Sequence, residues 1–234
     1  MRRVEVAWSK MPKGGLGQSG DSIELVERPL GGLTLILADG QGSGPAARRI
    51  SRMVAMKAVQ LVADGSRDGA VARAVQDMLY TAREGRVTAT LALLSVDFHT
   101  RTLVISRNAP SPVVVKQQDV VFRLEGRAEV IGTYRKTRPA MTELPAEAGS
   151  LLLTFSDGLL NAGKRYGKAV DWDKWDERFA AAQPGGLQSF VDDLMDSALD
   201  LERGRPTDDI SIMALGLEGD DDSALRRLHA SIPY

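Results

Sequence analysis

Apolar and polar residues alternate along "VEVAW" (4–8) and "SIELVE" (22–27), whereas the run "LTLILA" (33–38) is apolar almost throughout. A period of two predicts half-buried strands for the first two segments, and the continuous run predicts a strand covered on both faces. The glycine-rich "PKGGLGQSGD" (12–21) separates the first from the second, and the three are expected to pair antiparallel. The period then changes. Ile50, Met53, Val54, Val59, Leu61 and Val62 follow one helical face after Pro45, whose fixed φ suits a first turn, so a helix is expected over 45–63. Val71, Val75, Met78 and Leu79 predict a second over 68–84, with Asp68 as its N-cap.

Strand patterns return in "VTATLALLSVDF" (87–98) and "TLVISRN" (102–108), a hairpin turning at "HTR", and in "PVVVKQQDVVFRL" (112–124), a hairpin turning at Gln117, Gln118 and Asp119. "TRPAMTELP" (137–145) and "SLLLTF" (150–155) add two more strands. Helices are expected over 172–182 and 186–202, separated by Pro184, Gly185 and Gly186, and "DISIMALGL" (209–217) reads as a last apolar strand. Strands, a helix pair, more strands, another helix pair and a final strand do not make a repeating βαβ unit. The order predicts an α+β fold, two sheets packed face to face with helices outside. One domain is expected over 1–217, and 218–234, "EGDDDSALRRLHASIPY", as a charged C-terminal tail.

Composition narrows the partners. Thirty Lys plus Arg against thirty-one Asp plus Glu leave a formal charge of −1, so no global field favours nucleic acid or anionic lipid. The absence of cysteine removes thiolate ligands and disulfides, and two histidines make a zinc site improbable. No apolar run reaches the roughly 18 residues that span a bilayer. A soluble cytoplasmic monomer is expected, without room for an added sensor or membrane domain.

The candidate chemistry lies at strand ends. Asp39 follows "LTLILA", Asp157 follows "SLLLTFS", and Asp208 and Asp209 directly precede "ISIMALGL". If these ends meet, several carboxylates converge, and like charges a few ångströms apart repel unless protons or cations intervene. Mg²⁺ and Mn²⁺ take oxygen ligands and keep several waters, which one or two carboxylates per ion allow. A bare Gly40 would let its carbonyl approach an ion, and Gly42 and Gly44 would permit the turn into the helix at Pro45. Asp-Gly after a strand is also ordinary turn chemistry; the recurrence of acids at three strand ends is what raises the metal reading. "DGQGSG" lacks the Lys-Ser/Thr of a P-loop and the spacing of a dinucleotide fingerprint. His99 in a turn and His229 in the tail read as surface residues rather than general bases.

In order along the chain, "GQSGDSIEL", "LADGQGSG", "TFSDGL" and "RPTDDISIM" resemble the motifs of the PPM family of metal-dependent Ser/Thr protein phosphatases. The resemblance is to the bacterial branch typified by stage II sporulation protein E and the Rsb regulatory phosphatases. It spans about residues 4–217 and implies an αββα four-layer sandwich holding two Mn²⁺ or Mg²⁺ ions. It also implies that Asp39 bridges the ions, that Gly40 gives its carbonyl to one, that Asp157 and Asp208 complete the other, and that these acids act through metal-held water. Asp21 would contact that water, and Asp209 would orient its neighbour. "DGQGSG" is similar to the "DGxGSG" of the small stressosome feedback phosphatase in that branch. That similarity implies a phosphorylated STAS-domain protein of a stressosome or partner-switching module as substrate. The alternative is a catalytically weak PPM-like binding module in the same signalling system. Gln41 departs from the apolar residue usual after "DG", and the phosphate-binding Arg of eukaryotic members has no clear counterpart. Lys13 lies in roughly that region, where an exposed loop lysine is the plainer reading.

Overall fold

The computed structural model describes residues 2–118 and 120–220. In chain order the elements are β1 (Arg2–Met11), β2 (Asp21–Glu27), β3 (Gly32–Gly40), α1 (Gly44–Ala63), α2 (Asp68–Arg83), β4 (Ala89–Asp97) and β5 (Thr102–Asn108). Then follow β6 (Val113–Gln117), β7 (Val120–Leu124), β8 (Ala140–Pro145), β9 (Leu151–Phe155), α3 (Asp157–Asn161), α4 (Trp172–Ala181), α5 (Leu187–Leu201) and β10 (Ile210–Asp220). They form two five-stranded sheets, ordered β1-β10-β9-β6-β7 and β2-β3-β4-β5-β8, in which the paired strands run antiparallel.

Side-chain alternation builds three apolar layers from these sheets. In β3, Ile36 and Ala38 face α1 and α2, where they pack with Val54, Ala58 and Leu79. Leu35 and Leu37 face the other sheet and meet Leu94, Val113, Leu152 and Met213. On the far side, Leu153 and Phe155 of β9 pack under α4 and α5 with Phe179, Phe190 and Leu194. The continuous apolar runs are therefore strands covered on both faces, and each fully buried leucine contributes about 1.5–3 kcal/mol. The architecture is the expected four-layer αββα sandwich.

Three local expectations change. β1 does not pair with β2; it lies at the edge of the other sheet beside β10, because the segment from Pro12 to Gly20 carries the chain across from one sheet to the other. Asp68 is the first residue of α2 and not its N-cap, which is Arg67. Its carboxylate turns inward to Arg28, at 3.1 Å, and to the Ser95 hydroxyl, and a buried acid so engaged is not available to cap its own helix. β10 continues past Leu217 to Asp220, so the first residues assigned to the tail extend the last strand. The remainder of the tail, including His229, and the turn residue Asp119 lie outside the described residues. His99 is exposed in its turn, with its backbone N–H donating to Asp97.

Candidate functional site

The two sheets bring the predicted strand ends to one edge of the sandwich. Asp39 is the next-to-last residue of β3; Asp157 opens α3 directly after β9; Asp208 precedes β10, which pairs with β9. All three acids, with Gly40, line a single cleft of about 400 Å³, whose remaining wall includes Lys13, Gln41, Ser43, Thr88 and Thr90. Residues more than a hundred positions apart thus share one solvent space.

Asp21 and Asp209 stand behind this surface. Asp21 sits directly opposite Asp39 in the β2–β3 register and is 1% exposed, and its Oδ2 has no hydrogen-bond partner. Asp209 is 3% exposed; its Oδ1 accepts from the Lys13 backbone N–H and its Oδ2 from that of Gly20, each at 3.0 Å. Its own N–H donates to Asp208 Oδ1 at 2.9 Å. The contact between Asp209 and its neighbour thus runs through the backbone N–H, and the Asp209 carboxylate clamps both ends of the glycine-rich segment. The sequence gives no sign of that clamp, which depends on β1 crossing between sheets.

The glycines have steric reasons. A Cβ on Gly40 would lie 2.3 Å from the Ala47 carbonyl oxygen, because the first turns of α1 pack against the end of β3. At Gly158 a Cβ would lie 2.0 Å from the Asp209 carbonyl oxygen, so the bare position lets the Asp157 and Asp208 segments approach. Gly158→Ala is expected to destabilise the fold by about 1–3 kcal/mol and to lower turnover, as a thermal melt and an activity assay would read. Gln41 has a structural role as well: its N–H donates to Thr88 O, and its Oε1 accepts from Thr88 N–H, both at 3.0 Å. An apolar side chain would lose the second bond. Lys13 is half-buried on the cleft wall and not a free loop lysine.

Electrostatically the cluster resists full ionisation. Burial first, and then the charges of Asp21, Asp157 and Asp208, push the Asp39 carboxyl up to about 9. Burial, reinforced by Asp209, pushes Asp21 up to about 7. Asp157 is raised for the same reasons, burial before the Asp208 charge. The acids and a backbone carbonyl are oxygen donors, and one oxygen of the buried Asp21 beside them has no hydrogen-bond partner, so the donor chemistry fits hard divalent cations. Among the described residues, no three acidic or imidazole side chains are placed to hold a metal ion by themselves. Carboxyls raised in the fold favour folding at low pH and lose that contribution as pH rises through their folded values. The metal-free protein is thus expected to lose thermal stability from the ordinary carboxylate range up to about 9. Mn²⁺ should restore it most at the alkaline end, as melts across pH with EDTA or Mn²⁺ would show.

A family model described as stage II sporulation protein E matches residues 29–218. The chain belongs to this family, the SpoIIE-type branch of the PPM phosphatase domains. It is 21% identical over 216 residues to stage II sporulation protein E of Bacillus subtilis (strain 168), covering 92% of this chain and 26% of that protein. The chain thus spans about a quarter of the relative it matches. The fold is similar to a structure of the PP2C phosphatase domain and a regulatory-domain fragment of SpoIIE from Bacillus subtilis. That match has a TM-score of 0.77 and 20% identity, and covers 94% of this chain and 64% of that one. It is also similar to the catalytic domain of the serine threonine protein phosphatase PstP in complex with two manganese ions, with a TM-score of 0.70, 18% identity and coverage of 94% and 100%. RsbX in complex with magnesium matches with a TM-score of 0.69 and 18% identity, covering 93% of this chain and all of that one. No described helix is long and apolar enough to cross a membrane.

Proposed function

We propose that the chain is a Mn²⁺- or Mg²⁺-dependent phosphatase that removes phosphate from phosphoserine or phosphothreonine in proteins. The observation that carries this reading is the convergence of Asp39, Gly40, Asp157 and Asp208 on one cleft. Asp39, Gly40, Asp157 and Asp208 would hold the two ions. When bound, the ions would lower the pKa of water and offset charge on the phosphoryl oxygens. The chain's own residues do the rest. Asp21 stands behind Asp39 as a buried acceptor for a proton or a water. Lys13, held on the cleft wall by the Asp209 clamp on its backbone, offers a cation to the phosphate where the eukaryotic Arg is missing.

The substrate class we infer is a phosphorylated STAS-domain protein of a stressosome or partner-switching module. The "DGQGSG" motif and the likeness to RsbX support it. Hydrolysis of para-nitrophenyl phosphate with Mn²⁺ and with EDTA tests the chemistry. A Mn²⁺-dependent rate at least tenfold above the EDTA control is expected, whereas a rate unmoved by metal would leave the weak binding module in its place.

A further inference from the structure

A second groove, of about 500 Å³, shares Lys13 with the catalytic cleft and is otherwise walled by Gly14 and Gly15, by Arg165 after α3, and by Arg205 to Thr207 ahead of β10. Three separate segments are pinned together to make it. The Gly14 N–H donates to Pro206 O at 2.8 Å. Glu202, at 1% exposure, accepts from the Gly163 N–H at 2.7 Å through Oε1 and from the Thr207 N–H at 3.0 Å through Oε2. One buried carboxylate thus braces two walls, and both of its oxygens are engaged with backbone donors.

The cations of this groove have no such partners. Among the described residues, Lys13, Arg165 and Arg205 form no ion pair. Arg165 and Arg205 are exposed. The Tyr166 ring carries the Arg203 guanidinium 4.2 Å from its centroid and that of Arg165 at 5.8 Å, which adds positive charge to the rim and stiffens it. In a chain whose formal charge is −1, this is a local positive field beside a site lined with acids.

We propose that this groove docks an acidic segment of the substrate protein, seating carboxylates that lie a few residues from the phosphoresidue, and so selects among phosphoproteins. The proposal rests on the phosphatase reading above and adds the recognition element that reading lacks. Exposed guanidiniums in a braced concavity meet carboxylates in paired geometry, and Lys13 at the junction orients the chain so that the phosphate enters the cleft.

The test uses two phosphopeptides of equal length, one with Asp and Glu flanking the phosphoserine and one with Gln at those positions. Binding is read by fluorescence anisotropy with EDTA present, and turnover with Mn²⁺. The wild-type protein is expected to bind the acidic peptide at least tenfold more tightly, with the gap closing as salt rises from 50 to 300 mM. The double variant Arg165→Glu/Arg205→Glu should lose the preference while para-nitrophenyl phosphate turnover stays within twofold. Equal wild-type binding of the two peptides would overturn the proposal. So would a variant that keeps the preference, one that loses aryl phosphate turnover in step, or tighter wild-type binding of a single-stranded oligonucleotide of equal charge. Salt-sensitive preference in a protein that hydrolyses nothing would uphold the docking groove and sink the phosphatase reading. Metal-dependent hydrolysis without preference would do the reverse.

Discussion

Asp39→Asn is expected to lower kcat on para-nitrophenyl phosphate by at least 10³-fold, about 4 kcal/mol of transition-state stabilisation. Asn keeps the volume and removes a carboxylate on which three other acids act: Asp21 lies across the β2–β3 register, and Asp157 and Asp208 add their fields from the side of the other sheet. The fold should survive, because Asp39 contributes repulsion and, among the described residues, no salt bridge. In EDTA the variant is expected to melt a few degrees above the wild type, since a group forced up to about 9 no longer has to be kept protonated or accommodated as a buried charge. Loss of activity with a raised metal-free melting temperature is the signature of an ion-holding acid. A turnover within tenfold of wild type would remove Asp39 from the site. Asp157→Asn and Asp208→Asn are expected to act in the same direction on turnover.

The second large effect concerns the substrate. An intact phosphorylated STAS-domain protein is expected to be dephosphorylated at least a hundredfold faster, by kcat/KM, than a peptide carrying the same phosphorylated sequence. The cleft is small and is walled in part by the short side chains of Ser43, Thr88 and Thr90, with Lys13 as the one cation that lines it among the described residues. Such a site has few contacts with which to tell one phosphoester from another. Discrimination then falls to surfaces away from phosphorus, where binding energy places the ester in line for attack. Initial rates on the two substrates at equal concentration and saturating Mn²⁺ decide the matter. Equal rates would mean that the local sequence suffices and would withdraw the main physical support for a folded partner.

What was legible in the sequence followed from period and punctuation. "LTLILA" and "SLLLTF" have to be covered strands, and an acid followed by glycine at the end of each marks where the chain leaves the sheet. Asp39, Asp157 and Asp208 are therefore readable as strand-end acids, and their order along the chain names the family. Their meeting in one cleft is not readable, because it depends on β10 pairing with β9 and on the stacking of two sheets. The same limit hid β1, whose alternation suits an edge strand of either sheet. Without the crossing of β1 to the other sheet, the Asp209 clamp on Lys13 and Gly20 has no basis in the sequence, and Lys13 looks like a loop residue. Asp68 misleads locally: an acid at a helix start looks like a cap unless a partly buried arginine just past β2 claims it. Glu202 carried no signal. Its position at the end of α5 suggests a solvated acid, and only the loops folded over it make it a brace.

We infer that this cluster of acids holds two divalent ions that drive phosphoester hydrolysis. This is tested most directly by titrating Mn²⁺ into EDTA-stripped protein while following both bound metal and para-nitrophenyl phosphate turnover, with wild type and Asp39→Asn in parallel. The expected result is saturation at two ions per chain, turnover rising with occupancy in the wild type, and neither in the variant. A wild type that binds no Mn²⁺ or gains no turnover on binding it, or a variant that matches it in both, would contradict the claim.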